Sequence, residues 1–167
     1  YVNHITDIDF VTNNIGYASG NFGKFYRTFN GGDTWEILEV PPTDDNDNFG
    51  AGVSWYALSI GIDPKNSERL IIGAVDLLIS EDGGVSWTQL SKWYNSEKFP
   101  YVHADQHRIE FLNEGEILVA NDGGIWYSEN AQNSLPSFNS KNFNYNITQF
   151  YTCAIDEDPL SNFMLAG

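Results

Sequence analysis

An eight-residue segment that occurs twice is the feature that most constrains the fold of this chain. Residues 28–35 read TFNGGDTW and residues 80–87 read SEDGGVSW. Both follow the order hydroxyl, any residue, Asn or Asp, Gly, Gly, any residue, hydroxyl, Trp. A degenerate third copy, Ser-Glu-Asn-Ala, starts at Ser128. The copies are about 50 residues apart, and a repeat of that length is typical of an array of similar structural units.

The repeated segment predicts a tight hairpin. An Asp or Asn side chain can accept hydrogen bonds from nearby backbone N–H groups, and two successive glycines adopt positive φ at little cost. The tryptophan that ends the segment can then pack between neighbouring sheets. Contact with a ligand or a metal is the alternative for the Asn and Asp side chains. We interpret six residues of the two copies as structural: Asn30, Gly32, Trp35, Asp82, Gly84 and Trp87.

The repeated segment resembles the Asp box, or BNR repeat, of sialidase-like, sortilin-like and xyloglucanase-like β-propellers. A second set of motifs is HADQH at residues 103–107, NDGGIW at 121–126 and TQFY at 148–151. These motifs resemble the repeat units of large secreted bacterial BNR proteins that are often labelled glycosyl hydrolases. The resemblance covers nearly the whole chain, and it implies a propeller fold and an extracellular or cell-surface location.

Period-2 alternation of apolar residues predicts an all-β chain built of four-stranded antiparallel blades. The blades are expected at about residues 1–40, 52–91 and 102–145, with a half blade at 148–167. The first strand of the third blade is expected over residues 103–111. These ranges amount to about three and a half blades with Asp-box hairpins. Because propellers usually need four to eight blades to close, we predict that the chain is a β-propeller fragment. We expect it to be part of a longer chain, whose remaining blades, or those of another chain, complete the ring.

Composition and charge exclude several classes of function. The chain has 167 residues, of which 41% are hydrophobic and 15% aromatic, enough to fill a sizeable core. Its net charge is −15 and it has no basic run, which argues against a nucleic-acid partner. No stretch approaches the roughly 18 apolar residues of a membrane span. Cys153 is the only cysteine, so no intrachain disulfide can form, and we interpret it as a core residue.

Three residues of the HADQH motif are candidate ligand-binding residues. His103, Asp105 and His107 occupy alternate positions of one predicted strand, so their side chains are expected to share a face that borders the central channel. Two imidazoles and a carboxylate could contact a ligand or hold a divalent metal, and hydrogen-bonded packing between blades is the third interpretation. Strand residues two apart are separated by roughly 7 Å, which argues against a single shared ion.

Asp122 is the candidate catalytic residue. In xyloglucanase-like propellers a catalytic aspartate lies in an Asp-x-Gly-Gly-x-aromatic stretch between the second and third strands of a blade. The stretch DGGIW at residues 122–126 resembles it but is one residue shorter. Glycoside hydrolysis needs two carboxyl groups, and the sequence identifies no second one. A glycine-rich turn without catalytic function is the alternative interpretation.

Two insertions interrupt the blades, at residues 41–54 and 91–101, and long loops on a rigid scaffold are frequent binding sites. The first contains Asp44, Asp45 and Asp47, whose clustered carboxylates predict a calcium loop or, alternatively, a solvated acidic loop.

Exposed aromatic residues near the two insertions could stack on sugar rings, although packing between blades is the commoner use of such residues. They are Trp55 and Tyr56 at the first insertion, and Trp93 and Tyr94 at the second.

Two classes of function fit these observations. The first is a secreted or cell-surface propeller that binds a glycan or a protein and has no catalytic activity, which we favour because the strongest motifs are structural. The alternative is part of a glycoside hydrolase that acts on a polysaccharide. Sialidase activity is not expected, because such enzymes need three convergent arginines, and Arg27 and Arg69 fall on different strands of their predicted blades.

Overall fold

A computed structural model describes residues 4–44, 49–50, 52–113 and 115–144, together with the backbone of residues 153–155 and 164–166. The strands are β1 (Ile5–Phe10), β2 (Gly16–Gly20), β3 (Lys24–Thr28), β4 (Glu36–Leu38), β5 (Ser59–Asp63), β6 (Asn66–Gly73), β7 (Leu77–Ser80), β8 (Thr88–Gln89), β9 (Gln106–Asn113), β10 (Glu116–Asn121), β11 (Gly124–Ser128), β12 (Asn139–Ser140), β13 (Cys153–Ile155) and β14 (Met164–Ala166).

Each strand pairs antiparallel with the next one within its sheet. Strands β1–β4 form the first sheet, β5–β8 the middle sheet and β9–β12 the third sheet, while β13 pairs with β14. The predicted fold class, an all-β propeller fragment made of four-stranded antiparallel blades, is confirmed. The fourth strand is the shortest of each four-stranded sheet: β4 has three residues, and β8 and β12 have two each.

The middle sheet is buried on both faces, which explains why its central strands β6 and β7 contain continuous apolar runs rather than alternating residues. One face contributes to a core with the first sheet, and the other contributes to a core with the third sheet. The residues facing the first sheet are Ile60, Ile62, Leu70, Ile72 and Leu78. Those facing the third sheet are Ile71, Leu77 and Ile79.

Side chains close the second Asp-box hairpin. The Ser80 hydroxyl accepts hydrogen bonds from the backbone N–H groups of Gly84 (2.8 Å) and Asp82 (3.3 Å). The Asp82 carboxylate accepts bonds from the N–H (2.8 Å) and the hydroxyl (2.6 Å) of Ser86. Gly83 and Gly84 have φ of 68° and 88°, the left-handed conformation that favours glycine.

The first box uses the same bonds with a neutral side chain. Thr28 accepts from the Gly32 N–H at 3.0 Å, and the amide oxygen of Asn30 accepts from the Thr34 N–H at 2.9 Å. The Asn30 amide nitrogen donates to the Thr34 hydroxyl at 2.8 Å. In the second box the direction is reversed, because the Asp82 carboxylate accepts from the Ser86 hydroxyl. Asn and Asp are therefore interchangeable in this hairpin when the hydroxyl partner rotates.

The third copy keeps the start of the hairpin and lengthens the rest. Ser128 and Asn130 form the same local bonds, but the Asn130 side chain accepts from the N–H of Ser137, seven residues later rather than four. Three residues are thus inserted relative to the other boxes. Phe138 follows Ser137 in the place that tryptophan occupies in the first two boxes.

The aromatic residue of a box packs against the preceding sheet. Trp87 of the middle sheet packs on the core shared with the first sheet, and Phe138 of the third sheet packs on the core shared with the middle sheet. Trp35 of the first sheet has no described sheet in front of it. It is 36% exposed and its ring contacts Phe10 edge-on, with the centroids 6.1 Å apart.

Antiparallel pairing gives the stacked sheets two distinct ends. One end, which we call the box end, carries the Asp boxes and the β1–β2, β5–β6 and β9–β10 hairpins. The opposite end, which we call the loop end, carries the β2–β3, β6–β7 and β10–β11 hairpins and the β4–β5 and β8–β9 connections, which contain the two insertions. Two hydrogen bonds join the first and middle sheets near the box end: Tyr17 Oη to the Ser67 carbonyl (3.0 Å) and Arg27 Nη1 to the Gly83 carbonyl (2.7 Å).

Replacing Trp87 by Ala should lower the free energy of unfolding by about 3 kcal/mol, because it removes a large aromatic side chain from the core between two sheets. Val85→Ala is the matched control, since Val85 is exposed in the same hairpin and its loss should cost less than about 0.5 kcal/mol. Urea unfolding measures both. Equal losses for the two variants would contradict the packing role of Trp87.

The outer face of the first sheet should make a polypeptide of these 167 residues self-associate. Ile8 and Ile37 are more than half exposed there, next to Phe10 and Trp35, and exposed apolar sheet faces favour association. The double variant Ile8→Lys/Ile37→Lys should shift the chain toward monomer in sedimentation velocity. A monomeric unsubstituted chain at the same concentration would refute this expectation.

Protonation of Asp82 should destabilise the second box at low pH. Hydrogen bonds from the Ser86 hydroxyl and then from its N–H lower the pKa of the Asp82 carboxyl below 3.8. A lowered folded-state pKa gives stability that is present above the unfolded-state pKa and lost as the pH falls through the folded-state pKa. Asp82→Asn should therefore lose less stability than the wild type between about pH 5 and about pH 2 in urea unfolding. Identical pH profiles would contradict this account.

Candidate functional site

Five side chains meet at the loop end, where the segment before β5, the start of β9 and the β10–β11 hairpin converge. We call them the loop-end cluster: Trp55, Tyr56, Asp105, His107 and Asp122. Antiparallel topology requires these three segments to lie at the same end of adjacent sheets, and the contacts below join them directly.

Asp122 and His107 form the centre of the cluster. Asp122 lies in the hairpin between β10 and β11, the position that the resemblance to xyloglucanase-like propellers implied. Its Oδ1 is 2.7 Å from Nε2 of His107, which belongs to β9. The Asp122 side chain is 48% exposed, so its carboxylate is accessible to a ligand. The hairpin is closed by the Asn121 side chain, which accepts from the Gly123 N–H at 3.0 Å.

Tyr56 links this pair to Asp105 and to the first insertion. Its hydroxyl donates a hydrogen bond to Oδ2 of Asp105, and its ring packs at 5.7 Å from the His107 ring. The Trp55 ring lies 4.7 Å from the Tyr56 ring and is 73% exposed, the most exposed tryptophan among the described residues. The cluster therefore presents an indole face beside two carboxylates.

The expectation that His103, Asp105 and His107 share one face of one strand is wrong, because β9 begins at Gln106. The Gln106 side chain is buried and donates to the carbonyls of His103 (2.6 Å) and Val75 (3.0 Å). These bonds hold residues 103–105 in a turn, and Asp105 has a φ of 67°. The turn directs Asp105 to Tyr56 rather than along the face of the sheet.

His103 packs under the hairpin that carries Asp122. A Cβ atom at Gly123 would lie 2.4 Å from the His103 ring, so only glycine fits there. The His103 carbonyl also accepts a hydrogen bond from the Asn121 side chain at 3.0 Å. His103 therefore fixes the hairpin in place, and the structure brings all three HADQH candidates to the same end as Asp122.

Trp93 and Tyr94 lie at the loop end in the second insertion. Asp76 of the β6–β7 hairpin anchors this insertion, because its carboxylate accepts from the Trp93 N–H at 2.7 Å and lies 3.5 Å from Nζ of Lys92. Lys92 and Asp76 are both buried, so each needs the other as a charge partner. The rings of Trp93 and Tyr94 meet edge-on at 5.4 Å and stay partly exposed.

The predicted calcium loop is described only in part. Asp44 forms an ion pair with Lys98 of the second insertion, and its N–H donates to the Gln89 side chain at 2.8 Å. Asp45 and Asp47 lie outside the described residues. Within the described ranges, no group of three His, Cys, Asp or Glu side chains is arranged to hold a metal ion.

Sequence reasoning did not link Tyr56 to the HADQH candidates. The available signal is the dipeptide Trp-Tyr, which occurs in or just after each insertion, as Trp55-Tyr56 and as Trp93-Tyr94. These two copies precede the first strand of a sheet and lie at the loop end, whereas a third copy, Trp126-Tyr127, lies within β11. Only the fold shows that the first copy reaches the turn before β9.

A family model described as photosynthesis system II assembly factor YCF48 matches residues 2–147. Among solved structures, the chain is similar to YCF48 bound to D1 peptide, with 20% identity and a TM-score of 0.56 over 80% of this chain and 40% of that one. It is also similar to YCF48 from Cyanidioschyzon merolae, with 21% identity and a TM-score of 0.53 over 77% and 35% of the two chains.

A GH74 xyloglucanase from Xanthomonas campestris has a similar fold, with 15% identity and a TM-score of 0.61 over 81% of this chain and 23% of the enzyme. These likenesses confirm the BNR-repeat propeller fold, and the chain spans less than half the length of each of these structures. A search of curated proteins finds no match. No helix in the described part of the chain is long and apolar enough to cross a membrane.

Proposed function

The chain belongs to the family of the photosynthesis system II assembly factor YCF48, and from this premise we propose that it is a non-catalytic binding module whose ligand is a protein. The loop-end cluster is the observation that carries the proposal. It combines an exposed indole ring with two accessible carboxylates, whereas the Asp boxes at the other end use their polar side chains to close hairpins.

Ion pairs hold the two insertions in place, and this order supports a binding role for the loop end. The second insertion is tied to the β6–β7 hairpin by the buried Lys92–Asp76 pair, and Lys98 joins it to Asp44 of the first insertion. Loops ordered before binding lose less conformational entropy when a ligand docks. Aromatic residues such as Trp55 and Trp93 are also the types most enriched at the centres of protein interfaces.

A peptide ligand fits this family and this charge. One similar structure is that of YCF48 bound to D1 peptide, so a propeller with this fold can hold a peptide. The present chain carries a net charge of −15, which attracts a positively charged partner and repels acidic ones. We therefore propose a partner segment of basic character. A glycan ligand and a secreted or cell-surface location rest on the resemblance of the repeats alone.

A glycoside hydrolase is the second candidate, and the position of Asp122 favours it. The carboxylate is exposed on the hairpin between the second and third strands of its sheet, and His107 contacts it. Hydrolysis needs a second carboxyl group that faces the first across the scissile bond. Asp105 is the nearby carboxylate in the cluster, and Tyr56 already donates to one of its oxygens. This arrangement suits binding better than proton transfer.

Selection from a random peptide library on the immobilised protein tests the binding function. The wild type should enrich peptides, Trp55→Ala should lose them, and Leu135→Ala should keep them, because Leu135 is exposed at the box end. No enrichment with the wild type, or equal enrichment with Trp55→Ala, would contradict a protein-binding role for this cluster.

Asp122→Asn separates the two candidate functions. If the protein is not an enzyme, release of reducing sugar from β-glucans should be the same for the wild type and the variant, because no step depends on the charge of Asp122. A fall of about a hundredfold or more with an unchanged melting temperature would make Asp122 the acid or base of a hydrolase.

A further inference from the structure

Resting on the protein-binding function proposed above, we propose that the loop-end cluster receives a lysine or arginine side chain of the partner. The Trp55 ring would contact the face or the methylene stem of the cationic group, and the carboxylates of Asp105 and Asp122 would accept its N–H groups. The inference adds the chemical class of the group that is recognised.

The indole of Trp55 is the first requirement for this site. Cations are attracted to the faces of aromatic rings, and tryptophan is the strongest partner for them. Trp55 is largely exposed, and its only described ring contact is with Tyr56. The Tyr56 ring is held by the hydrogen bond of its hydroxyl to Asp105 and by its contact with His107, so the Trp55 ring has an ordered support.

The two carboxylates are the second requirement, and they differ from Asp76 and Asp44, two other acidic groups of the loop-end insertions and hairpins. Asp76 and Asp44 are each matched by a lysine, Lys92 and Lys98 respectively. In the described part of the chain, neither Asp105 nor Asp122 forms an ion pair with a lysine or arginine. Among the described residues, the one basic side chain that contacts either carboxylate is His107, which contacts Asp122.

One oxygen of each carboxylate is fixed and the other is available. Tyr56 donates to Oδ2 of Asp105, and His107 contacts Oδ1 of Asp122. The remaining oxygens, Oδ1 of Asp105 and Oδ2 of Asp122, have no hydrogen-bond partner among the residues that the structure describes. Charge-assisted hydrogen bonds from an ammonium or guanidinium group would satisfy them. Because the fixed oxygens orient both groups in advance, binding would not need to order them.

An NMR titration with small probes tests the proposal directly. Nα-acetyl-arginine amide and Nα-acetyl-lysine amide should shift the indole N–H resonance of Trp55. Nα-acetyl-citrulline amide, which has nearly the same shape as the arginine probe but no charge, should not shift it. Added NaCl should weaken binding of both cationic probes, because the site is exposed and its charges are screened. Equal shifts with citrulline would overturn the proposal.

Substitutions in the loop-end cluster test whether its residues bind the probes. Trp55→Ala and Asp122→Asn should each weaken probe binding about fivefold, as expected for loss of an interaction of about 1 kcal/mol. For Trp55→Ala, backbone amide shifts of Tyr56 and His107 replace the indole signal. Asp33→Asn is the matched control, because it removes one exposed charge at the box end and should leave binding unchanged. If Asp33→Asn weakened probe binding as much as Asp122→Asn does, the effect would be explained by net charge alone and a specific site would be refuted.

The outcomes separate this inference from the function on which it rests. If the peptide selection enriches sequences that lose binding with Trp55→Ala but lack lysine and arginine, the protein-binding function holds and the cationic ligand is wrong. If cationic probes bind the cluster while the selection enriches nothing, the recognition chemistry holds and the protein ligand is wrong.

Discussion

The hydrogen bonds that close each Asp box hold the rest of the structure in place. In the first two boxes, a hydroxyl at the start accepts from the backbone N–H of the second glycine, and an Asp or Asn side chain accepts from the N–H four residues later. These bonds satisfy backbone donors that a tight turn would otherwise leave to solvent. The chain then re-enters the sheet with its aromatic residue directed at the preceding sheet. Trp87 and Phe138 thereby help to stack three sheets into one array.

Closure at the box end leaves the loop end to carry the variable segments. Apart from the lengthened third box, the box-end connections are short hairpins, and Tyr17 and Arg27 join the first sheet to the middle one there. Both insertions emerge at the opposite end, where the buried Asp76 side chain anchors the second one and the Asp44–Lys98 ion pair joins the first to it. The buried Gln106 side chain holds the turn that carries Asp105. The same sheets therefore provide a rigid base for the loop-end cluster, and this separation underlies the assignment of binding to that end.

The sequence predicted the sheets well where the alternation of apolar residues and the positions of turn residues indicate the same strands. The predicted four-stranded antiparallel sheets are present, and the Asp box predicted the hairpins after β3 and β7, including the positive φ of both glycines. Only the first half of the third box is recognisable in the sequence, because Ser137 lies seven residues after Asn130, three more than in the other two boxes. The structure shows that Asn130 still reaches across the longer turn.

The candidate site was predictable in its members but not in its arrangement. Asp105 and His107 were identified by residue type and spacing, and Asp122 by the resemblance to xyloglucanase-like propellers. However, β9 starts three residues later than expected, at Gln106. The reason is a buried amide that binds the His103 and Val75 carbonyls, and nothing local in the sequence indicates a partner 31 residues away. The bond from Tyr56 to Asp105 spans 49 residues and depends on the packing of two sheets.

Amide hydrogen exchange at the second Asp box tests the central claim most directly. The N–H groups of Gly84 and Ser86 donate to the Ser80 hydroxyl and the Asp82 carboxylate, not to a neighbouring strand. Residue-level exchange should therefore be many times slower for these two amides than in an unstructured peptide, and Ser80→Ala should accelerate exchange at Gly84. Exchange at unstructured-peptide rates in the wild type would show that side chains do not close the box, and would contradict the account.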